Sequence, residues 1–314
     1  MYVRPKKKMN SESPLHCNPD SGLCEVPADR QTITSNARSF LKKEEKPVRI
    51  LYFTDPICSS CWGIEPQLRR LKAEYGESIE IEYRMGGLLP DWSYNSGGIS
   101  KPSDVAAHWE EASKYYQMPI DGNVWLEDPL SSSYPPSIAF KAAQLQNQER
   151  ALTFLRRLRE MVFMEKKNIA RLEFIRQAAM EAGLNPEKML QDMEGTALQA
   201  FYTDLEVTRS MAIRGFPTLI FSTNTGERQV ISGYRPYANF EQAMKTLVPE
   251  SSAQTFDSSP KGLFARYSSL TSLEFATLAG TSLEQAEQLL SGLGGNGKLK
   301  KFSIANGNLW KRIP

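Results

Sequence analysis

Val48-Arg49-Ile50-Leu51-Tyr52-Phe53-Thr54-Asp55-Pro56-Ile57-Cys58-Ser59-Ser60-Cys61-Trp62-Gly63 is the stretch that decides the fold. Its opening is rich in β-branched and aromatic side chains and predicts a buried strand over Val48 to Thr54. Asp55-Pro56 breaks that strand. A helix is expected from near Cys58 to Tyr75, with Leu68 and Leu71 on its inner face, a kink at Pro66 and Gly76 as its stop. Strand, Cys-x-x-Cys, helix is a redox pattern. A thiolate at a helix start faces unsatisfied N–H groups and the positive end of the dipole. Such a setting lowers a cysteine pKa from about 8.5 to somewhere in about 3.5–7.5. Cys58 is therefore the expected attacking thiolate, accessible to substrate, and Cys61 the more buried resolving thiol. A zinc half-site and an inert core pair are the competing readings. Zinc takes four ligands, and only Cys17, Cys24 and His16 stand ready to complete a set.

The whole chain sets the bounds. With 314 residues, two domains are expected, and 40% apolar against 24% charged residues is enough for a packed core. Lys+Arg 38 against Asp+Glu 36 is too balanced to argue for nucleic acid or an anionic membrane as the main partner. No apolar run is long enough to span a bilayer. The opening residues are basic, but no apolar stretch follows them, so a secretory signal is not expected and the cytoplasm is the default compartment. Four cysteines are too few for a disulfide-held secreted scaffold, and two histidines leave little room for His-based catalysis.

Working outward, residues 1–46 read as a flexible polar leader. It carries Cys17 and Cys24, separated by turn-forming Asn18-Pro19 and Ser21-Gly22. Ser78 to Arg84 alternates and predicts a second strand. Helices follow over Val105–Tyr116, Pro136–Gln146, Glu149–Glu165, Leu172–Ala182 and Thr196–Ile213. A hairpin is expected from Thr218–Phe221 and Gln229–Ile231, then a helix over Phe240–Leu247. Residues 249–262 read as a Ser/Pro-rich linker. Beyond it, helices Ser272–Ala279 and Ser282–Leu290 with hydroxyl N-caps, then a ribbon over Lys301–Ile304 and Asn308–Lys311, suggest a small winged-helix-like unit. Its second helix carries Glu284 and Glu287 and no basic residue, which argues against DNA and for docking or packing. Gly292-Leu293-Gly294-Gly295-Asn296-Gly297-Lys298 lacks the strand–loop–helix context of a phosphate loop and reads as a helix-ending turn.

Gly215-Phe216-Pro217-Thr218 opens the later strand. A cis proline there would turn neighbouring backbone groups toward an extended substrate, but only about 5–6% of X–Pro bonds in folded proteins are cis, so the local sequence favours trans. Trp62 and Phe216 either line an apolar substrate groove or belong to the core. Glu65, one turn past Cys61, either tunes a thiol or is a solvated helix residue. His108 reads as structural. Cys17 and Cys24 form either an accessory redox pair feeding Cys58 and Cys61 or two leader thiols without a role.

Together these residues resemble the DsbA-like branch of the thioredoxin superfamily. The resemblance covers residues 47–248, through the strand Val48–Thr54, Asp55-Pro56, Cys58-x-x-Cys61-Trp62-Gly63, Glu65-Pro66 and Gly215-Phe216-Pro217-Thr218. It implies a thioredoxin-like fold with a helical domain inserted at about 100–214, attack by Cys58, and a cis Pro217. The FrnE-like oxidoreductase subgroup is similar in Leu130-Ser131-Ser132. A narrower and longer resemblance is to the YjbH-type adaptor family, which hands the Spx regulator to the ClpXP protease. It adds Asp121-Gly122-Asn123-Val124-Trp125, Ala139 to Ala143 and the small unit ending near Trp310-Lys311. Those adaptors carry His/Cys-rich leaders, whereas this leader offers His16, Cys17 and Cys24.

The resulting expectation is an α/β protein: leader 1–46, thioredoxin-like domain 47–248 with its helical insertion, linker 249–262 and a winged-helix-like unit 263–314. Its function is expected to be thiol–disulfide exchange with a protein or peptide, needing an undetermined recycling partner and no cofactor or metal. The alternative is an adaptor that binds a protease and a transcription regulator. Neither nucleic acid nor membrane is an expected partner.

Overall fold

The computed structural model describes residues 17–18, 23–25, 46–93 and 99–313. In chain order it opens with two short strands, β1 (Cys17–Asn18) and β2 (Leu23–Glu25), then β3 (Val48–Thr54). The Cys-x-x-Cys segment follows as α1 (Ser59–Gly63) and α2 (Glu65–Tyr75), and β4 (Ile79–Met85) closes this first half of the fold. A helical block comes next: α3 (Pro102–Tyr116), α4 (Val124–Glu127), α5 (Tyr134–Gln146), α6 (Gln148–Met164), α7 (Leu172–Glu181), α8 (Pro186–Met193) and α9 (Thr196–Ser210). The chain then returns to the sheet through β5 (Gly215–Phe216), β6 (Thr218–Thr223), β7 (Arg228–Ser232) and α10 (Tyr237–Leu247). The last unit is α11 (Pro260–Arg266), β8 (Ser269–Thr271), α12 (Ser272–Ala279), α13 (Leu283–Gly295), β9 (Leu299–Ile304) and β10 (Gly307–Arg312). This is the mixed α/β, thioredoxin-like architecture expected.

The central sheet runs β4-β3-β6-β7, with β3 parallel to β4 and antiparallel to β6. A strand in the middle of a sheet covered by helices is buried on both faces. That is why Tyr52, Phe53 and Thr54 are buried in succession at the cysteine end of β3, whereas Arg49 is exposed and Leu51 half-buried nearer its start and the edge strand β4 alternates. The register sets Phe53 opposite Thr218. Pro217 therefore lies one step beyond that pair, at the end of the sheet from which Asp55 and the Cys58 turn depart.

Three expectations change. The single kinked helix is two helices, because Pro66 has no N–H for the carbonyl of Trp62 and its ring crowds that carbonyl; the break falls at Ile64. The Gly-rich run does not end a helix at Leu290, since α13 continues through Gly295. The leader is not wholly irregular: β1 and β2 form a sheet in the order β1-β2-β5. α4, α8, α11 and β8 lacked the length or periodicity to be read beforehand. The segment 249–258 has no helix or strand, yet Gln254 donates to the Glu74 carbonyl at 2.8 Å and Ser78 and Ser251 hydroxyls meet at 3.1 Å.

The last unit has its own core around Phe264, Leu270, Phe275, Leu290 and Trp310, which also takes in Ala73 from α2. Both of its first-turn boxes are complete. Thr271 and Glu274 satisfy each other's backbone N–H groups at the start of α12, and Ser282 and Gln285 do the same for α13.

Candidate functional site

Cys58 is the N-cap of α1, extended at φ −74° and ψ 108°. Its Sγ accepts the backbone N–H of Cys61 at 3.1 Å and is joined to Cys61 in a disulfide, with Cα atoms 5.2 Å apart. Because α1 ends after one turn, a long helix dipole does not aim at Cys58. The local amide of Cys61 is the group placed to stabilise negative charge on its sulfur once the pair is reduced. The Phe216–Pro217 bond is cis. The Pro217 carbonyl accepts from Gly233 at 2.8 Å, and Thr218 Oγ1 donates to the Gly215 carbonyl at 2.8 Å.

The expected accessibility of Cys58 is not what the structure has. Cys58 and Cys61 are both 0% exposed, and Ile57, Ser59, Ser60 and Pro217 are buried with them. Trp62 and Phe216 also belong to the core and line no open groove. The Trp62 indole donates to the Pro119 carbonyl at 3.0 Å, stacks on Phe163 with centroids 5.5 Å apart, and carries the Arg156 guanidinium 4.4 Å above its ring. The Phe216 ring fills the space over Gly86, where a Cβ would fall 1.6 Å from its Cζ. Glu65 is held as a carboxylate: burial works to raise its pKa, but Arg159, Arg69 and Arg156 outweigh that and lower it, so it is no proton carrier near neutrality. His108 lies half-buried on α3.

Sequence reading missed the supports of this site. Asp55 is fully buried and accepts from Ile57 N–H at 3.1 Å, Leu88 N–H at 2.8 Å and Ser133 Oγ at 2.9 Å. Burial pushes its pKa up to about 6, against the pull of those hydrogen bonds. Ser133 closes the arrangement by accepting from Leu89 N–H at 3.1 Å. Leu130-Ser131-Ser132, noted as a family feature, is thus the run-up to the residue that clamps the Asp55 turn. Ser60, between the cysteines, shares a 2.7 Å hydrogen bond with Tyr116, whose hydroxyl pKa burial raises to about 12. Among the described residues, no group of three or more His, Cys, Asp and Glu side chains is placed to hold a metal. Cys17 and Cys24 are described through their strands, where the register sets them opposite each other.

A second feature lies between the thioredoxin-like domain and the last unit. Glu274, 0% exposed, receives both guanidinium nitrogens of Arg156 at 2.6 and 3.0 Å and Arg69 Nε at 2.9 Å. Glu160 receives Arg156 at 2.9 Å and Lys311 at 2.9 Å, and also Ser269. Burial raises its pKa, but Arg156 and Lys311 overcome this and hold it at about 2. Arg69, Arg156, Glu160 and Lys311 of this network line a cleft of 490 Å3 whose lining also includes the exposed Arg266, Arg312 and Glu181.

A buried Cys-x-x-Cys disulfide at a helix start, a cis proline at the same end of a β4-β3-β6-β7 sheet and a large helical insertion define a thioredoxin-family protein of the DsbA-like kind. The family described as Thioredoxin matches residues 51–242. The solved structure of the cytosolic disulfide reductase DsbM from Pseudomonas aeruginosa shares this fold, with a TM-score of 0.52 and 20% identity over 63% of this chain and 99% of its own. Curated relatives reach further. The chain is 32% identical to the ClpXP adapter protein SpxH of Halalkalibacterium halodurans over 96% of this chain and 98% of that protein. The SpxH of Bacillus subtilis is 29% identical over 86% of this chain and 90% of its own. The chain belongs to this SpxH family of ClpXP adapter proteins. Among the described residues no helix is long and apolar enough to cross a membrane.

Proposed function

We propose that this chain is a ClpXP adaptor, a protein-binding module that presents a regulator of the Spx kind to the protease. The observation that carries this reading is the extent of the match: the SpxH of Halalkalibacterium halodurans is covered over 98% of its length by 96% of this chain, which takes in the last unit outside the thioredoxin-like residues. The geometry agrees. The last unit is fastened to α2 and α6 by buried charges, so both halves present one continuous surface, and the cysteine pair offers no exposed sulfur. The Arg266 and Arg312 side of the cleft suits an acidic segment of a partner, because complementary charge steers association and fixes register.

The test is degradation of a purified Spx-type regulator by ClpXP with and without the chain. The chain is expected to accelerate proteolysis, and the Cys58→Ser/Cys61→Ser variant to retain that effect. Reversing Arg266 and Arg312 to Glu is expected to weaken regulator binding about tenfold at low salt and less at high salt. An unchanged degradation rate together with no complex in solution would overturn the adaptor reading.

Thiol–disulfide exchange is a second reading, favoured by the Cys58–Cys61 disulfide and the Cys61 amide aimed at Cys58 Sγ. In it, Cys58 attacks a protein or peptide disulfide and Cys61 resolves the mixed disulfide. A disulfide-reporter assay checks it: turnover is expected from the native chain and none from Cys58→Ser. No turnover from the native chain sinks this second reading and leaves the adaptor standing.

A further inference from the structure

The edge strand β5 has a partner from within the chain. β2 pairs with it antiparallel, Cys24 opposite Phe216 and Glu25 opposite Gly215. β1 pairs with β2 in turn, Cys17 opposite Cys24. Strand addition at a sheet edge is how extended peptides are recognised, through backbone hydrogen bonds that do not depend on side-chain identity. Here the added strand is the chain's own leader, and it ends beside the residue that precedes Pro217. Thr218 pairs with Phe53, and Phe53 leads through Thr54 and the Asp55 turn to Cys58. Topology thus brings the leader's cysteine pair, on the small β1-β2-β5 sheet, to the end of the central sheet from which the Cys58 turn departs, the two sheets being joined through Phe216-Pro217-Thr218. Residues directly opposite in an antiparallel pair have Cα atoms about 4.5–5.5 Å apart, within the range a disulfide bridges. The backbone therefore allows Cys17 and Cys24 to pair with each other.

We infer that Cys17 and Cys24 are the intramolecular exchange partners of the Cys58–Cys61 disulfide. The inference rests on the exchange reading of that pair. The Cys24 thiolate attacks Cys58 Sγ; the Cys24–Cys58 bond forms, the Cys58–Cys61 bond breaks, and Cys61 leaves as a thiolate that takes up a proton. The Cys17 thiolate then attacks Cys24 Sγ; the Cys17–Cys24 bond forms and Cys58 is released and protonated. Two thiols have become one disulfide, one disulfide has become two thiols, and the two protons given up by Cys17 and Cys24 equal the two gained. No outside oxidant or reductant enters. An external substrate would meet Cys58 by displacing β2 from β5, so the leader competes with it as a tethered one.

The test uses the full chain carrying Cys17→Ser/Cys61→Ser, in which Cys24 and Cys58 are the only cysteines. Equilibrating it with reduced and oxidised glutathione, then mapping peptides without reduction, gives the effective concentration of Cys24 at Cys58. A value at least about tenfold above that of the same variant in strong denaturant is expected, because a flexible tether alone supplies only a millimolar-scale value. An equal or lower value in the folded protein overturns the inference. A companion variant, Cys17→Ser/Cys24→Ser/Cys61→Ser, separates the two failures. If its Cys58 takes up glutathione while the Cys24–Cys58 bond gains nothing from folding, the exchange reading stands and the leader's role falls. If its Cys58 takes up no glutathione, the exchange reading falls as well. Circular dichroism of each variant confirms that a folded chain is being compared.

Discussion

The two buried centres of this molecule are made of opposite materials. At the cysteine end of the sheet, a disulfide, Pro217, Phe216 and Trp62 are packed with Asp55 as the buried acid, its carboxyl pushed up to about 6 by burial. At the junction with the last unit, Arg69 and Arg156 surround Glu274 and Glu160, and Glu160 is held at about 2. The two centres are closed differently. Among the described residues, the leader strand pairs with β5 over a two-residue ladder. The last unit is held by buried ion pairs, a shared apolar core and the Asn306 side chain on Glu110 and the Ile120 carbonyl. A two-residue ladder can open without unfolding the protein, since local openings draw on few bonds. A buried charge network opens only by leaving charges unpaired in a low-dielectric interior.

The sharpest way to break this contrast is Glu274→Ala. It leaves Arg156 with Glu160 alone and Arg69 with only Glu65 at 3.9 Å, and it removes half of the α12 capping box, so a loss of about 3–5 kcal/mol is expected. Denaturant unfolding measures it, and hydrogen exchange should rise first in α12. A loss under about 1 kcal/mol would mean the junction is solvated like a surface pair.

Acidity separates the two centres next. Asp55 titrates in the folded chain at about 6 against an ordinary 3.8, so the folded state binds the proton more tightly. Its contribution is fully present below 3.8 and is lost as pH rises through about 6, a fall of about 3 kcal/mol. Glu160 runs the other way. Its contribution is present above the ordinary 4.5 and lost as pH falls toward about 2. Stability of native and Asp55→Asn chains measured from pH 4 to 7 should diverge with this sign. Parallel curves would refute the buried-acid assignment.

Gly86→Ala probes the packing under β5. The new Cβ meets the Phe216 ring, and about 1–3 kcal/mol of destabilisation is expected. Because Phe216 backs the strand that holds the leader, Cys58 of the reduced variant should alkylate faster than in the native chain. Ser60→Ala is the mildest change. It removes one hydrogen bond to Tyr116, for about 0.5–1.5 kcal/mol in thermal unfolding.

Much of this was legible in the linear chain. The run Val48–Thr54, the break at Asp55-Pro56 and the Cys58–Cys61 spacing identify the sheet and the site, because period and turn chemistry act locally. The long helices of the insertion and the capped helices of the last unit were visible for the same reason. What escaped depends on contacts far apart in sequence. Ser133 reaches Asp55, Tyr116 reaches Ser60, and Glu274 reaches Arg156 and Arg69, and no local pattern marks such partners. Trp62 and Phe216 were equally compatible with a groove and a core, since an aromatic side chain suits both.

The amino-acid sequence alone determined that a Cys-x-x-Cys pair would stand between a buried strand and a helix, because that outcome needs only neighbouring residues. Tertiary structure alone decided that the pair would be closed off, that the leader would pair with β5, and that the last unit would be riveted on through buried charge. Those outcomes depend on which surfaces meet, and desolvation, which sets their strength, is a property of the packed whole.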